Sequence, residues 1–406
     1  MVKIQAFEVE QWMDKYENTP GVLNIAETCC SSISIERLVT LDNRRKEGAH
    51  TLIDSSRPLT YGAIRGSDEL RQNIASTYNE EKSTAMTTTP ILSPEDIIVT
   101  QGAISANHLV FYSLVGPGDH VICVFPTYQQ LYSIPESLGA EVSLWKLRPE
   151  NGYIPKVQEL EGVIKGNTKM IVINNPNNPT GATTPKETLA DIIDLARKHN
   201  IIVFLDEVYR PLFHSIEPNQ VPPSAISMGY DKVVVTSSMS KAWALAGIRV
   251  GWVASRDPSI ISAVASARDY TTISVSQLDD QVARYALSGA VRPALLARNL
   301  ALAKTNLDLL DQFVQEHAIV CSWVKPSAGT TAFMQFRNRN GVPVDDEAFC
   351  KDVLDKTKVM FLPGSRCFGH GQGLFDGFVR IGYVNETEIL RQALEELGAY
   401  ITEHLA

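Results

Sequence analysis

The chain has 406 residues, of which 44% are hydrophobic and 20% charged, and a formal charge of −9. This describes a soluble globular protein with a large core, expected as two or three domains, and the acidic balance argues against nucleic acid or an anionic membrane as partner. No apolar run approaches the ~18–20 residues of a membrane-spanning helix, and the acid-bearing start "MVKIQAFEVEQWMDKYE" lacks a signal-peptide core.

In chain order, "EEKSTAMTTTPILSPED" (80–96) is polar and proline-punctuated and reads as a surface connection. Beyond it, apolar strands alternate with helical stretches. The predicted strands are Ile97–Thr100, His120–Phe125, Glu141–Leu147, Met170–Asn174, Ile201–Leu205, Lys232–Thr236 and Val250–Ala254. "AISANHLVFYSLV" and "PKETLADIIDLARKHN" are helical, the latter with a capping box at Thr184–Glu187 and Pro185 as its first residue. This alternation predicts an α/β fold: a mainly parallel seven-stranded sheet covered by helices. After about residue 285 come one long helix, the strands "GTTAFMQF" and "FVRIGYV", and a terminal helix, which predict a smaller α+β domain. The expected division is an N-terminal arm (1–45) completing the small domain, a large domain (46–285) and the small domain (286–406). The six cysteines show no CxxC or Cys/His ligand spacing, so no metal site is expected. Cys29 and Cys30 are adjacent, a poor arrangement for a disulfide, and a reducing cytoplasm is the expected setting.

Four motifs fall at the carboxyl ends of predicted strands, where open α/β sheets bind ligands. "VTQGAISANHL" turns from strand to helix through Gly102 and Ala103, presenting backbone N–H groups suited to a phosphate. "INNPNNPTG" follows a strand and is open to reading as a plain loop. "IIVFLDEVYRPLF" ends its strand on Asp206, a costly place for a carboxylate without a cation or donor. "SSMSKAWALAGIRVGW" follows the buried run Val233–Val235 and holds Lys241 three residues after Ser238 and eight before Arg249. A lysine there is either strained or employed.

Together these motifs resemble the fold type I pyridoxal-phosphate (PLP) enzymes, in particular the aspartate-aminotransferase-like class I/II family, from "LTYGAIRGSDELR" to "FVRIGYV". The resemblance implies pyridoxal 5'-phosphate as cofactor and an amino acid as substrate. Lys241 resembles the lysine that forms the internal aldimine, which calls for an amine whose pKa is lowered by desolvation and a positive neighbourhood. Ser238 and Arg249, with Ser240 between them, resemble the group that holds the phosphate together with Gly102, Ala103 and Ile104. Asp206 resembles the partner of the pyridinium nitrogen, and Tyr209 and Asn178 the donors to the ring oxygen. Tyr128 resembles the aromatic stacked on the ring, with a core tyrosine as the alternative. Tyr61 resembles a tyrosine reaching the phosphate of a neighbouring subunit, which implies a homodimer with shared active sites. Arg380 resembles the arginine that binds the substrate α-carboxylate; otherwise it is a surface arginine paired with an acid.

Two departures stand out. Ile104 replaces the usual small polar residue, removing one side-chain contact to phosphate, and Glu27 with Cys29 and Cys30 replaces a Gly-containing turn near the substrate. Glu27 is expected either to meet a cationic substrate end, or to be a solvated loop residue or a cap ahead of "SISIERL". The cofactor alone does not choose among reactions. Transamination between an L-amino acid and a 2-oxo acid is the first expectation. A lyase or cyclase reaction is the second, because "RDYTTISVSQ", "LRPENGYIP" and "FLPGSRCFG" are similar to capreomycidine synthase, which cyclises a modified arginine. A cofactor-binding protein without turnover is disfavoured by the joint presence of Lys241, Asp206, Tyr209 and Arg380.

Overall fold

The computed structural model describes residues 4–42, 52–83 and 90–405. The N-terminal arm begins with the helix Glu8–Tyr16, which buries Val9, Trp12 and Met13, and continues into the short strand β1 (Leu23–Asn24). The large sheet follows with β2 (Ile97–Thr100), β3 (His120–Phe125), β4 (Glu141–Lys146), β5 (Thr168–Asn174), β6 (Ile202–Asp206), β7 (Val233–Ser238) and β8 (Gly251–Ser255). Its order is β2-β8-β7-β6-β5-β3-β4. Only β8 runs against the others, being antiparallel to both of its neighbours. The central strands are buried along most of their length because helices cover both faces, which is why they read as unbroken Val/Ile runs.

Register places the chemistry. Asn174 of β5 pairs with Asp206 of β6, and Asp206 with Thr236 of β7, so three polar residues lie in a row at the carboxyl side of the sheet. Both β6 and β7 extend beyond the predicted strands, to Asp206 and Ser238, because the ladder continues through these polar residues. At the β8 end, Gly251 is a glycine of necessity: a Cβ there would lie 2.4 Å from the Gly102 carbonyl carbon. The missing side chain lets the Gly102–Leu114 helix begin directly against the sheet.

The remaining strands are β9 (Cys321–Trp323), β10 (Thr331–Phe336), β11 (Val359–Met360), β12 (Leu362–Pro363) and β13 (Phe378–Gly382). An antiparallel sheet of order β12-β13-β10-β9 carries the Arg380 strand, and the long helix Arg292–Glu316 precedes it. The arm joins this part of the molecule: β1 pairs with β11, and Glu8 forms an ion pair with Arg366 at 2.7 Å.

Two local expectations fail. Pro185 occupies the cap position of the Lys186–His199 helix and has no side-chain acceptor to offer, while the Thr184 N–H that the expected capping box would use is committed to Asn175 Oδ1 at 2.9 Å. The 80–96 connection starts later than expected, since the Asp68–Ser83 helix runs into it; residues 84–89, like the expected boundary at 45/46, lie outside the described residues. Among the described residues, no helix is long and apolar enough to cross a membrane.

Candidate active site

The strand ends, the N-terminal arm and β13 enclose a cavity of 670 Å³, within the size range of small-ligand sites. Lys241 enters it from the loop after β7. Its Nζ donates to Thr28 Oγ1 at 2.8 Å and Cys29 Sγ at 3.4 Å, and lies 3.6 Å from Glu27 Oε1. The arm is fixed against this loop by main-chain bonds, with Cys30 N donating to Lys241 O and Ile33 N to Ala244 O.

The charge balance here corrects one expectation. Burial pulls the Lys241 amine down, but Cys29, Glu27 and two tyrosines outweigh it and hold its pKa above the usual lysine range. Burial pushes the Cys29 thiol up to about 11, so Glu27 is the neighbour that is anionic near neutrality. The expected positive neighbourhood does not prevail around Lys241: Arg249 and Arg380 line the same cavity, but Glu27, 3.6 Å from Nζ, is the charged group that acts on it. In Glu27 itself burial works upward, yet the Lys241 ammonium and hydrogen bonds from Cys29 and Thr28 hold the carboxyl down at about 2. Its Oε1 accepts from the N–H groups of Thr28 (2.6 Å) and Cys29 (2.8 Å). Glu27 does not cap the helix of "SISIERL"; Ser34 does, accepting from Arg37 N.

Asp206 is fully enclosed. Its Oδ2 accepts from Asn107 Nδ2 at 2.9 Å and its Oδ1 from Val208 N at 3.2 Å, while Asn107 Oδ1 accepts from Thr236 Oγ1 at 2.6 Å. Burial raises the carboxyl to about 6 against these donors. No cation lies within ion-pair distance of Asp206 among the described residues, so the site is one in which a protonated ring nitrogen would be welcome.

At the other end of the cavity, Gly102 (φ +74°) opens a helix without a side-chain cap, leaving first-turn N–H groups free for a ligand. A Cβ on Gly102 would lie 2.7 Å from Arg249 Nη2. Ala103, Ile104, Ser238 and Ser240 line the same end, and Arg249 Nη1 donates to Ser240 Oγ at 3.4 Å. The combination of bare helix start, guanidinium and hydroxyls fits a phosphate. Tyr209 is buried after β6 and hydrogen-bonded to Thr28. Asn178 Oδ1 accepts from Arg380 Nη1 at 3.3 Å. Arg380 is not the acid-paired surface residue of the alternative reading: it is only 3% exposed and lines the cavity, with no hydrogen-bond partner for its Nε. Tyr128 also lines the cavity and donates through its hydroxyl to Glu10 Oε1 at 2.9 Å. Tyr61 alone among the expected residues lies apart, 80% exposed and outside this wall.

Sequence reasoning missed Asn107, Thr28 and the cavity-facing side of the N-terminal helix. Asn107 had a signal, a polar residue among Ala106, Leu109 and Val110 on a buried helix face. Thr28 had none, since its contact with Lys241 spans 213 residues of chain.

Residues 35–397 match the model of the family described as aminotransferase class I and II. The chain belongs to this family. An aspartate aminotransferase of Thermotoga maritima is 30% identical over 344 residues, covering 84% of this chain and 83% of that protein. Capreomycidine synthase of Streptomyces vinaceus is 32% identical over 311 residues, 75% of each chain. The crystal structure of a PLP-dependent aminotransferase from Streptococcus suis superposes with a TM-score of 0.87 at 36% identity, covering 99% of both chains. The fold is therefore that of the fold type I PLP enzymes, and this class I/II chain is an enzyme with pyridoxal 5'-phosphate as its cofactor.

Proposed function

We propose that the protein is an aminotransferase that moves the amino group of an L-amino acid to a 2-oxo acid, with Lys241 as the covalent anchor of the cofactor. The observation that carries this reading is Arg380, a buried guanidinium with an unpartnered Nε in the same cavity as Lys241 and Asp206. An arginine held in this way suits a carboxylate, so the ligand that meets Lys241 is an amino acid.

When bound, the cofactor supplies an aldehyde for the amine and a ring that draws electrons from Cα. Lys241 Nζ, which reaches into the cavity beside Thr28 and Glu27, would take and return the Cα proton. Asp206, oriented by Asn107, would keep a proton on the ring nitrogen. Tyr209 and Asn178 would donate to the ring oxygen, Tyr128 would cover the ring face, and Arg380 would orient Cα through the carboxylate. Ser238, Ser240, Arg249 and the N–H groups at Gly102–Ile104 would hold the phosphate, and Glu27 would face the substrate.

The exposed Tyr61 suits a homodimer in which it reaches the neighbouring site. The arm, large and small domains are taken as 1–45, 46–285 and 286–406. Six free thiols fit a cytoplasmic setting.

A second reading, cyclisation or elimination, is favoured by the 32% identity to capreomycidine synthase. Incubation with a panel of amino acids and 2-oxo acids, followed by chromatography, separates the two. Transamination yields a new amino acid and a new oxo acid in equal amounts. A product that retains its nitrogen while no oxo acid is consumed overturns transamination.

A further inference from the structure

The wall formed by the N-terminal helix is acidic in a regular way. Glu10, Asp14 and Glu17 follow the spacing i, i+4, i+7, which puts them on one helical face, and all three line the cavity, as does Glu27. Like charges so arranged repel one another unless a cation joins them. Glu8 has Arg366 as a partner, whereas Asp14 and Glu17 have no ion-pair partner among the described residues. The cations in the wall are Lys241, Arg249 and Arg380. With the first two given to the cofactor and the third to the α-carboxylate, none of them remains for a second substrate carboxylate.

Arg380 points to a ligand independently of these acids, because its buried Nε lacks a partner. Val9 and Met13 of the same helix also line the cavity and give it an apolar wall suited to methylenes. Glu10 is tied to the inner part of the site through Tyr128, and the acidic row continues outward along the helix from there.

We propose that the cavity selects amino acids whose side chain ends in an ammonium or guanidinium, with Arg380 on the α-carboxylate and Glu27 together with the Glu10–Asp14–Glu17 row receiving the far end. The inference rests on the amino-acid reading above but not on which reaction follows. Because the outer acids are exposed, their part in selection is screened by salt, while the inner carboxylate is screened less.

The test titrates the cofactor-loaded protein with L-ornithine, L-arginine, L-norvaline and L-aspartate, reading the visible band of the cofactor. The titrations are repeated with Glu10→Gln/Asp14→Asn/Glu17→Gln and with Glu27→Gln. Ornithine and arginine are expected to bind at least about tenfold more tightly than norvaline. That ratio should shrink by roughly threefold to tenfold in each variant and also with added salt. Norvaline or aspartate binding as tightly as ornithine overturns the inference and leaves the amino-acid reading standing. An unchanged ratio in both variants overturns the assignment to these acids. A band that no amino acid moves overturns the inference and the amino-acid reading together.

Discussion

The large sheet and the N-terminal arm each build part of the cavity wall, by different means. Asp206 and Ser238 end buried strands, Thr236 lies two residues before the end of β7, and Asn107 bridges Asp206 and Thr236. The arm's acids are exposed or, like Glu27 at 43% side-chain exposure, half-exposed, and they sit on a short helix and a loop. A change in the sheet wall disturbs ladder, core and chemistry at once, whereas the exposed acids of the arm can change with little cost to the core that Val9, Trp12 and Met13 join. On the readings proposed above, the cofactor chemistry belongs to the sheet wall and the choice of substrate to the arm.

The largest effect is expected at Asp206. Asp206→Asn removes the group that keeps the ring nitrogen protonated, and the loss of a buried ionic partner of ~3–5 kcal/mol corresponds to roughly two to four decades in turnover. The same change should stabilise the cofactor-free protein. The folded carboxyl titrates at about 6 against 3.8 unfolded, so the wild type loses stability as pH rises between these values and the variant does not. The difference above pH 6, on the order of 2–3 kcal/mol, is measurable from urea midpoints. Equal turnover, or equal pH dependence of stability, breaks the account of the sheet wall.

Asn107→Leu comes next. It removes a hydrogen bond to a charged group and leaves Thr236 Oγ1 unpaired, so turnover should fall by roughly one to two decades with smaller loss of cofactor affinity. Comparing kcat with the cofactor Kd checks this: an equal loss in both would make Asn107 a packing residue only.

The smallest effect belongs to the arm and appears at low pH. The Glu27 carboxyl is held at about 2 against 4.5 unfolded, so its stabilisation is complete above about 4.5 and is lost as pH falls toward 2. Glu27→Gln should show a shallower acid limb in the unfolding midpoint of the cofactor-free protein, with little change in turnover of neutral amino acids. Identical acid limbs would mean that Glu27 and Lys241 do not interact in solution.

The two walls were also unequally legible. β5, β6 and β7 are readable because burial on both faces demands apolar runs, and polar residues at their ends stand out against them. The carboxylate on β6 and the lysine after β7 were found in this way. The arm follows no such rule. Thr28 reaches Lys241 through the pairing of β1 with β11 and the docking of Cys30 on the Lys241 carbonyl, contacts that no local periodicity encodes. The rise in the Lys241 pKa followed from the same gap, since Glu27 was visible in the sequence but its distance from Nζ was not. The misplaced cap at Pro185 had a related cause: the Thr184 N–H was claimed by Asn175, nine residues upstream.

The central claim is that the strand-end lysine of the sheet wall carries the cofactor. Borohydride reduction of the cofactor-loaded protein, followed by proteolysis and mass spectrometry, tests it directly. The pyridoxyl mass is predicted on Lys241, within the peptide that also contains Ser238 and Ser240 when cleavage spares them. A pyridoxyl group on another lysine, or a loaded protein that borohydride leaves unlabelled, contradicts the account.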